Sequence, residues 1–175
     1  MEEMIDVLDE KGNKTGKVAT RATVHREGLC HRIIVVAIVD KEGRLLMQQR
    51  AMQKESNPGK WDVSTAGHVS TGQTSMEAAI REVEEEIGIK LKEQDLHLIC
   101  TFHGKGQVKE NYIANHIYDF YLVRKERIDM TKIKKQESEV AQIKLVTKQE
   151  VESLIQQEQV AKRGKVYSIL MEYLK

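Results

Sequence analysis

The 175-residue chain is 40% hydrophobic and 31% charged, a mix that suits a folded globular chain and excludes a disordered one. Lys and Arg together number 28 against 27 for Asp and Glu, so the net charge of +1 gives no broad basic face and no nucleic-acid partner is expected. The longest purely apolar run, residues 33–39, is too short to cross a bilayer, and the Met-Glu-Glu-Met start lacks the basic-then-apolar pattern of a secretory leader, so no membrane partner is expected.

Residues 4–21 read as a hairpin, with strands over 4–8 and 17–21 flanking the turn-rich Asp9-Glu-Lys-Gly-Asn-Lys. Residues 32–40 are a β-branched run dense enough for a strand buried on both faces. A turn at Lys41-Glu-Gly43 leads to a partner strand over 44–50. Residues 51–73 read mostly as loop, punctuated by Asn57-Pro-Gly59 and two further glycines. A helix is predicted over 75–87. Strands over 96–102 and 116–123 follow, joined by a Gly- and Lys-rich loop, and then a weaker strand over 140–146. Amphipathic helices over about 148–158 and 164–174 close the chain. Helices and strands alternate without a regular βαβ rhythm, which favours a mixed α/β sandwich over a doubly wound parallel sheet. The sole proline, Pro58, sits in one loop and no linker is evident, so 1–175 is expected to be a single domain. Cys30 and Cys100 cannot form a disulfide framework, which fits a reducing cytoplasm.

The chemistry concentrates in residues 66–89. Thr74 followed by Glu77 is a capping box, and Gly88 is the expected left-handed stop. Met76, Ile80, Val83 and Ile87 form an apolar stripe at helical spacing. Away from it, Glu82, Glu85 and Glu86 stand at i, i+3 and i+4, so like charges converge near the helix's negative end. Such an arrangement calls for a cation. Oxygen-only donors on a rigid element suit Mg²⁺ or Mn²⁺, which share substrate phosphates. Ala78 and Ala79 are expected to leave room for that ligand, and Arg81 to orient an acid. Gly67 and Gly72 free the preceding backbone for close approach to a phosphate.

This stretch resembles the signature of the Nudix hydrolases through Gly67, Arg81, Glu82, Val83, Glu85, Glu86, Gly88 and Ile89, all in register. One position departs, with Gln73 where that family has its first Glu; Glu77 is a candidate stand-in one turn on, out of register. The resemblance implies a Nudix-like α/β/α sandwich with a mixed β-sheet, a motif over 67–89 and an N-terminal hairpin extension over 1–28. It also implies a divalent-metal-dependent hydrolase of a diphosphate linkage in a small molecule, a nucleoside diphosphate derivative. Glu82, Glu85 and Glu86 would bind metal, with the main-chain carbonyl near Ala66 as a further ligand. Glu86 or a distal carboxylate would take the proton, with Glu110 and Glu139 as the distal candidates. Gly67, His68, Arg50 and Trp61 are candidates for substrate contact, Trp61 having a second reading as a core anchor.

The opening Asp6-Val-Leu-Asp-Glu-Lys-Gly-Asn and His25-Arg-Glu-Gly-Leu-Cys-His31-Arg32 are similar to the branch related to isopentenyl-diphosphate isomerase. Isomerases of that type carry a catalytic Cys two residues before a metal-binding His. Here Ala66 precedes His68, and Ile113 and Asn115 stand where paired acids belong. His25 and His31 echo isomerase ligands, but a loop histidine and a strand-edge histidine are expected to be structural. His97, His103 and His116 have no ligand spacing. Hydrolysis therefore leads; the alternatives are isomerisation and a catalytically weak nucleotide-binding module. An exposed N-terminal hairpin offers a surface for a homodimer.

Overall fold

The strand His31–Asp40 (β3) organises the computed structural model, which describes residues 2–175; Met1, the first residue of the expected extension, lies outside them. Ile33, Val35, Ala37 and Val39 point into one apolar layer and Ile34, Val36 and Ile38 into the other. The period-two alternation of a strand thus buries both faces, each large side chain contributing about 1.5–3 kcal/mol. β3 runs parallel to Tyr112–Lys125 (β8), pairing from His31–His116 to Asp40–Lys125. On its other edge it is antiparallel to two strands. Leu45–Arg50 (β4) meets it at Val39–Leu45, and Thr65–His68 (β6) pairs with Ile33–Val36. β4 also pairs with the short Trp61–Asp62 (β5) and with Val140–Val146 (β9). His97–Lys109 (β7) adds antiparallel to β8.

Helices cover both faces of this mixed sheet. Ser75–Ile87 (α2) lays Ala78, Ala79, Val83 and Ile87 on one apolar layer. Lys148–Gln156 (α3) and Val166–Leu170 (α4) lay Val151, Leu154, Val166, Tyr167 and Leu170 on the other. The result is an α/β/α sandwich, as expected. Ahead of it stand the antiparallel pair Met4–Leu8 (β1) and Lys14–Thr20 (β2) and the helix Arg21–Glu27 (α1).

Five local readings are corrected. β2 starts at Lys14 rather than residue 17 and stops at Thr20, because Thr20 accepts from the Thr23 N–H and caps α1. α1 escapes the sequence pattern because it is seven residues long and carries no full amphipathic repeat. The stretch expected as loop over 51–73 contains β5 and β6, each too short for a periodic signal. Residues 103–109, read as loop from their glycines and lysines, extend β7 in register with β8. Gly104 faces His116 and Gly106 faces Ala114, and the chain reverses at Glu110-Asn111, with Asn111 at φ 58°. The last helix is also shorter than expected, ending at Leu170 in turns rather than running to 174.

Candidate active site

Two neighbours in space build the site: the end of β6 and the C-terminal half of α2. The Thr74 hydroxyl accepts from the Glu77 N–H at 3.2 Å, and the Glu77 carboxylate accepts from the Thr74 N–H at 2.8 Å. Gly88, at φ 73°, stops the helix. Between these caps the apolar stripe fixes the rotation, turning Glu82, Glu85 and Glu86 into a cleft of about 640 Å³ that is also lined by Ala66, Gly67 and His68. At Gly67 a Cβ would fall 2.7 Å from the Glu82 Cγ, so only glycine lets strand and carboxylate come this close.

The three carboxylates have different surroundings. Glu86 is 6% exposed and accepts from the Gln48 side-chain amide at 2.7 Å and from the Thr65 hydroxyl. Burial raises its pKa despite these two donors. Glu82 receives the Arg81 guanidinium at 2.9 Å, yet burial and the Glu86 charge push it up to about 7. Glu85 is half exposed and takes the same Arg81 Nη1 at 3.0 Å. Arg81 also donates to the His68 carbonyl at 3.3 Å and to Gln73 at 3.4 Å, tying α2 to β6. Glu77 spends its carboxylate on the helix cap and so does not replace the acid missing at Gln73. Ala78 and Ala79 are wholly buried in the core, so they leave no room for a ligand as was expected; the cleft lies on the flank of Glu82 and Glu86.

Of the distal acids, Glu139 lines the cleft and is ion-paired with Lys54. Glu110 sits exposed at the tip of the β7–β8 hairpin, outside the cleft lining, because the hairpin runs on past the expected loop. Arg50 lines the cleft, but its guanidinium is held by the Ser56 carbonyl at 3.0 Å and by Asp62 at 3.4 Å. Trp61 lies outside the cleft lining, packed on the core with the Lys144 ammonium 4.3 Å from its ring centre. Its reading as a core anchor is the one this placement fits.

Residues 30–168 match the NUDIX domain family. The chain belongs to the Nudix hydrolase family. Over 149 residues it is 35% identical to an uncharacterized Nudix hydrolase of Listeria monocytogenes, covering 85% of this chain and 82% of that one. It is 36% identical over 182 residues to Nudix hydrolase 3 of Arabidopsis thaliana, matching 98% of this chain but only 24% of that protein, so it spans about a quarter of that relative's length. An isopentenyl-diphosphate Delta-isomerase of Serratia proteamaculans is 38% identical over 121 residues, covering 67% of this chain and 65% of that enzyme. Among solved structures, a Deinococcus radiodurans protein superposes with a TM-score of 0.72 at 18% identity, over 99% of this chain and all of that one. The Escherichia coli dihydroneopterin triphosphate pyrophosphohydrolase does so at 0.62 and 20% identity, over 81% and 93%. Nudix hydrolases generally act on nucleoside diphosphate derivatives and use divalent metals.

Sequence reasoning missed a second cluster beside the Nudix helix. His25 from α1, His31 from the start of β3, His68 from β6 and His116 from β8 bring one ring nitrogen each within 4.8 Å of the others. Burial lowers the pKa of all four, His31 to about 4, so the rings are neutral near pH 7. His25 and His31, though they echo isomerase ligands, were expected to be structural, and His116 shows no ligand spacing in the sequence. The parallel pairing that sets His31 opposite His116 is a tertiary choice and leaves no spacing signal in the chain.

Proposed function

We propose that this chain hydrolyses a diphosphate linkage in a small molecule, a nucleoside diphosphate derivative, with Glu82, Glu85 and Glu86 holding Mg²⁺ or Mn²⁺. The observation that carries the reading is the burial of Glu82 against Glu86, which pushes its carboxyl up to about 7 even with Arg81 alongside. Two acids placed together out of water need more positive charge than the Arg81 guanidinium supplies, since it pairs with Glu82 and Glu85 and not with Glu86. Hard oxygen donors on a rigid helix fit a small divalent cation, and Gly67 keeps space beside Glu82 clear of a side chain. Bound there, such a cation neutralises phosphate oxygens and lowers the pKa of water.

The chain's own residues do the rest. Arg81 aims Glu82 and Glu85, while Gln48 and Thr65 fix one oxygen of Glu86 and leave the other for the cleft. The main-chain carbonyl near Ala66 is a further ligand, and Gly67 and His68 border the substrate. Lys54, Lys105 and Lys162 line the same cleft and meet phosphate charge. Glu139 is the better-placed distal base, since it lies within the cleft lining and Glu110 does not.

The test is release of phosphate or nucleotide from a panel of nucleoside diphosphate derivatives with Mg²⁺, using Glu86→Gln as the control. A fall of at least about 100-fold in kcat is expected. Undiminished turnover in that variant overturns the metal assignment. Isopentenyl diphosphate belongs in the panel because of the Serratia relative. Its conversion to dimethylallyl diphosphate without hydrolysis of any other member would replace this reading, although Ala66 offers no thiol. Ligand binding without turnover would reduce the chain to a nucleotide-binding module.

A further inference from the structure

We propose that Arg163 forms an oxyanion subsite on the α4 side of the cleft, and that the substrate carries a further phosphate or carboxylate there, beyond its diphosphate. The proposal rests on the hydrolytic reading of this cleft and narrows its substrate class. Arg163 lies between α3 and α4 and lines the cleft while only 9% exposed. α2 brings Glu82 and Glu86 from one face of the sheet, whereas α3 and α4 pack on the other, so the cleft has a carboxylate side and a guanidinium side. The charged and phenolic neighbours that act most strongly on Arg163 are Asp62, Tyr118 and Tyr167, with none of the three glutamates among them. Those of Arg50 include Glu86, which places Arg50 between the two sides.

The charges and donors on the guanidinium side do not balance. Asp62, wholly buried on β5, is shared by two cations. The Arg163 Nε lies 3.1 and 3.2 Å from its two oxygens, and Nη2 donates to it as well. Arg50 donates to the same carboxylate at 3.4 Å. Two cations on one anion leave a surplus positive charge held out of water, which a further anion relieves. Arg50 has spent its other donors, Nε on the Ser56 carbonyl and Nη2 on the Ser56 hydroxyl. Arg163 has not. Its Nη1 has no acceptor among the described residues, yet it is not sealed off from the cleft.

The segment that carries Arg163 is fixed in advance. The Trp61 N–H donates to the Gln159 carbonyl at 2.8 Å, the Ala161 N–H to the Trp61 carbonyl at 2.7 Å, and the Lys162 N–H to the Asn57 Oδ1 at 3.3 Å. A guanidinium locked on one edge by Asp62 and tethered in this way loses little freedom when its open edge meets a ligand. Its planar N–H groups match the oxygens of a phosphate or carboxylate and have no acceptor to offer a neutral donor. The adjacent Lys162 lines the same cleft and adds to the positive field.

The experiment compares ligands that differ by one oxyanion: UDP-glucose with UDP-glucuronate, whose sugar carries a carboxylate, and ADP with adenosine 3′-phosphate 5′-diphosphate. Affinity for the full chain is read by calorimetry without divalent ion, and KM and kcat are read separately with Mg²⁺. In at least one pair the member with the extra oxyanion should bind at least about tenfold more tightly. The responding pair tells whether the sugar or the nucleoside faces Arg163. Arg163→Lys keeps a cation on Asp62 but loses Nη1. It should erase the gap within the pair while changing affinity for the member lacking the group by less than about twofold. Should that variant fail to fold, Asp62→Asn/Arg163→Gln removes both charges together and should lose the same preference. Equal affinity within both pairs on the unaltered chain overturns the proposal, as does a preference that survives in either variant. Equal weakening of both members by Arg163→Lys would make Arg163 a structural partner of Asp62 alone and also overturn it. A preference lost in Arg163→Lys while no member is hydrolysed with Mg²⁺ would remove the hydrolytic reading and leave the oxyanion subsite standing.

Discussion

Glu82 carries the clearest pH consequence. Its folded pKa of about 7 lies above the ordinary 4.5, so the cation-free folded state holds a proton that the unfolded chain releases between those values. Stability from this group is therefore greatest below about pH 4.5 and is lost as pH rises through about 7, a penalty of about 3 kcal/mol when complete. Replacing Glu82 with Gln should remove part of it: at pH 8 without divalent ions, Tm should rise by roughly 2–6 °C for about 1–2 kcal/mol regained. With the native residue, Mg²⁺ affinity should strengthen from pH 6 to 8 and then level off, as calorimetry at each pH would record. Asp62 behaves in the opposite way. Burial pushes its carboxyl up, but Arg163 and Arg50 more than offset this and hold it below the usual range. Asp62→Ala should cost about 3–5 kcal/mol in urea unfolding by stranding two buried guanidinium groups. The acid triplet was legible because its spacing is helical. Gln48, Thr65 and Lys54 were not, because each reaches the site through strand pairing or a loop distant in sequence.

At the level of elements, α2 is specified by its ends and its stripe. Thr74→Ala removes the hydroxyl that accepts from the Glu77 N–H, leaves the backbone N–H that donates to the Glu77 carboxylate, and should cost about 1 kcal/mol, or roughly 2–4 °C in Tm. Gly67→Ala acts differently, since its methyl would collide with the Glu82 side chain. It should weaken Mg²⁺ binding and turnover by at least about tenfold while the helix content measured by circular dichroism stays the same. α2 and β3 could be read from the chain because each is long, periodic and marked by caps or β-branched residues. α1, β5 and β6 were missed because a few residues hold no period. The β7–β8 hairpin was cut short because glycine and lysine speak for a loop until a partner strand overrules them.

For the whole molecule, one sheet with apolar layers on both sides places the end of β6 and the flank of α2 beside the same cleft. The N-terminal extension closes on this arrangement. The Met4 carbonyl accepts from the Thr71 N–H at 2.8 Å, the Ser70 hydroxyl donates to Glu3 at 2.9 Å, and Ile5 is wholly buried. Ile5→Ala should cost about 2–5 kcal/mol and speed amide exchange across residues 69–74, the loop that leads into α2. The sandwich was foreseeable from the order of elements, and its family from one motif. The gathering of histidines from four separate elements depends on the closed fold and lies beyond any local pattern. The central claim is that the carboxylates of Glu82, Glu85 and Glu86 share a divalent cation. Anomalous diffraction from crystals soaked in Mn²⁺ with a non-hydrolysable diphosphate ester tests it most directly. A manganese peak bonded to these side chains, with ester phosphate oxygens completing its shell, is the predicted result; density for the ester in the cleft with no manganese at the three glutamates would contradict it.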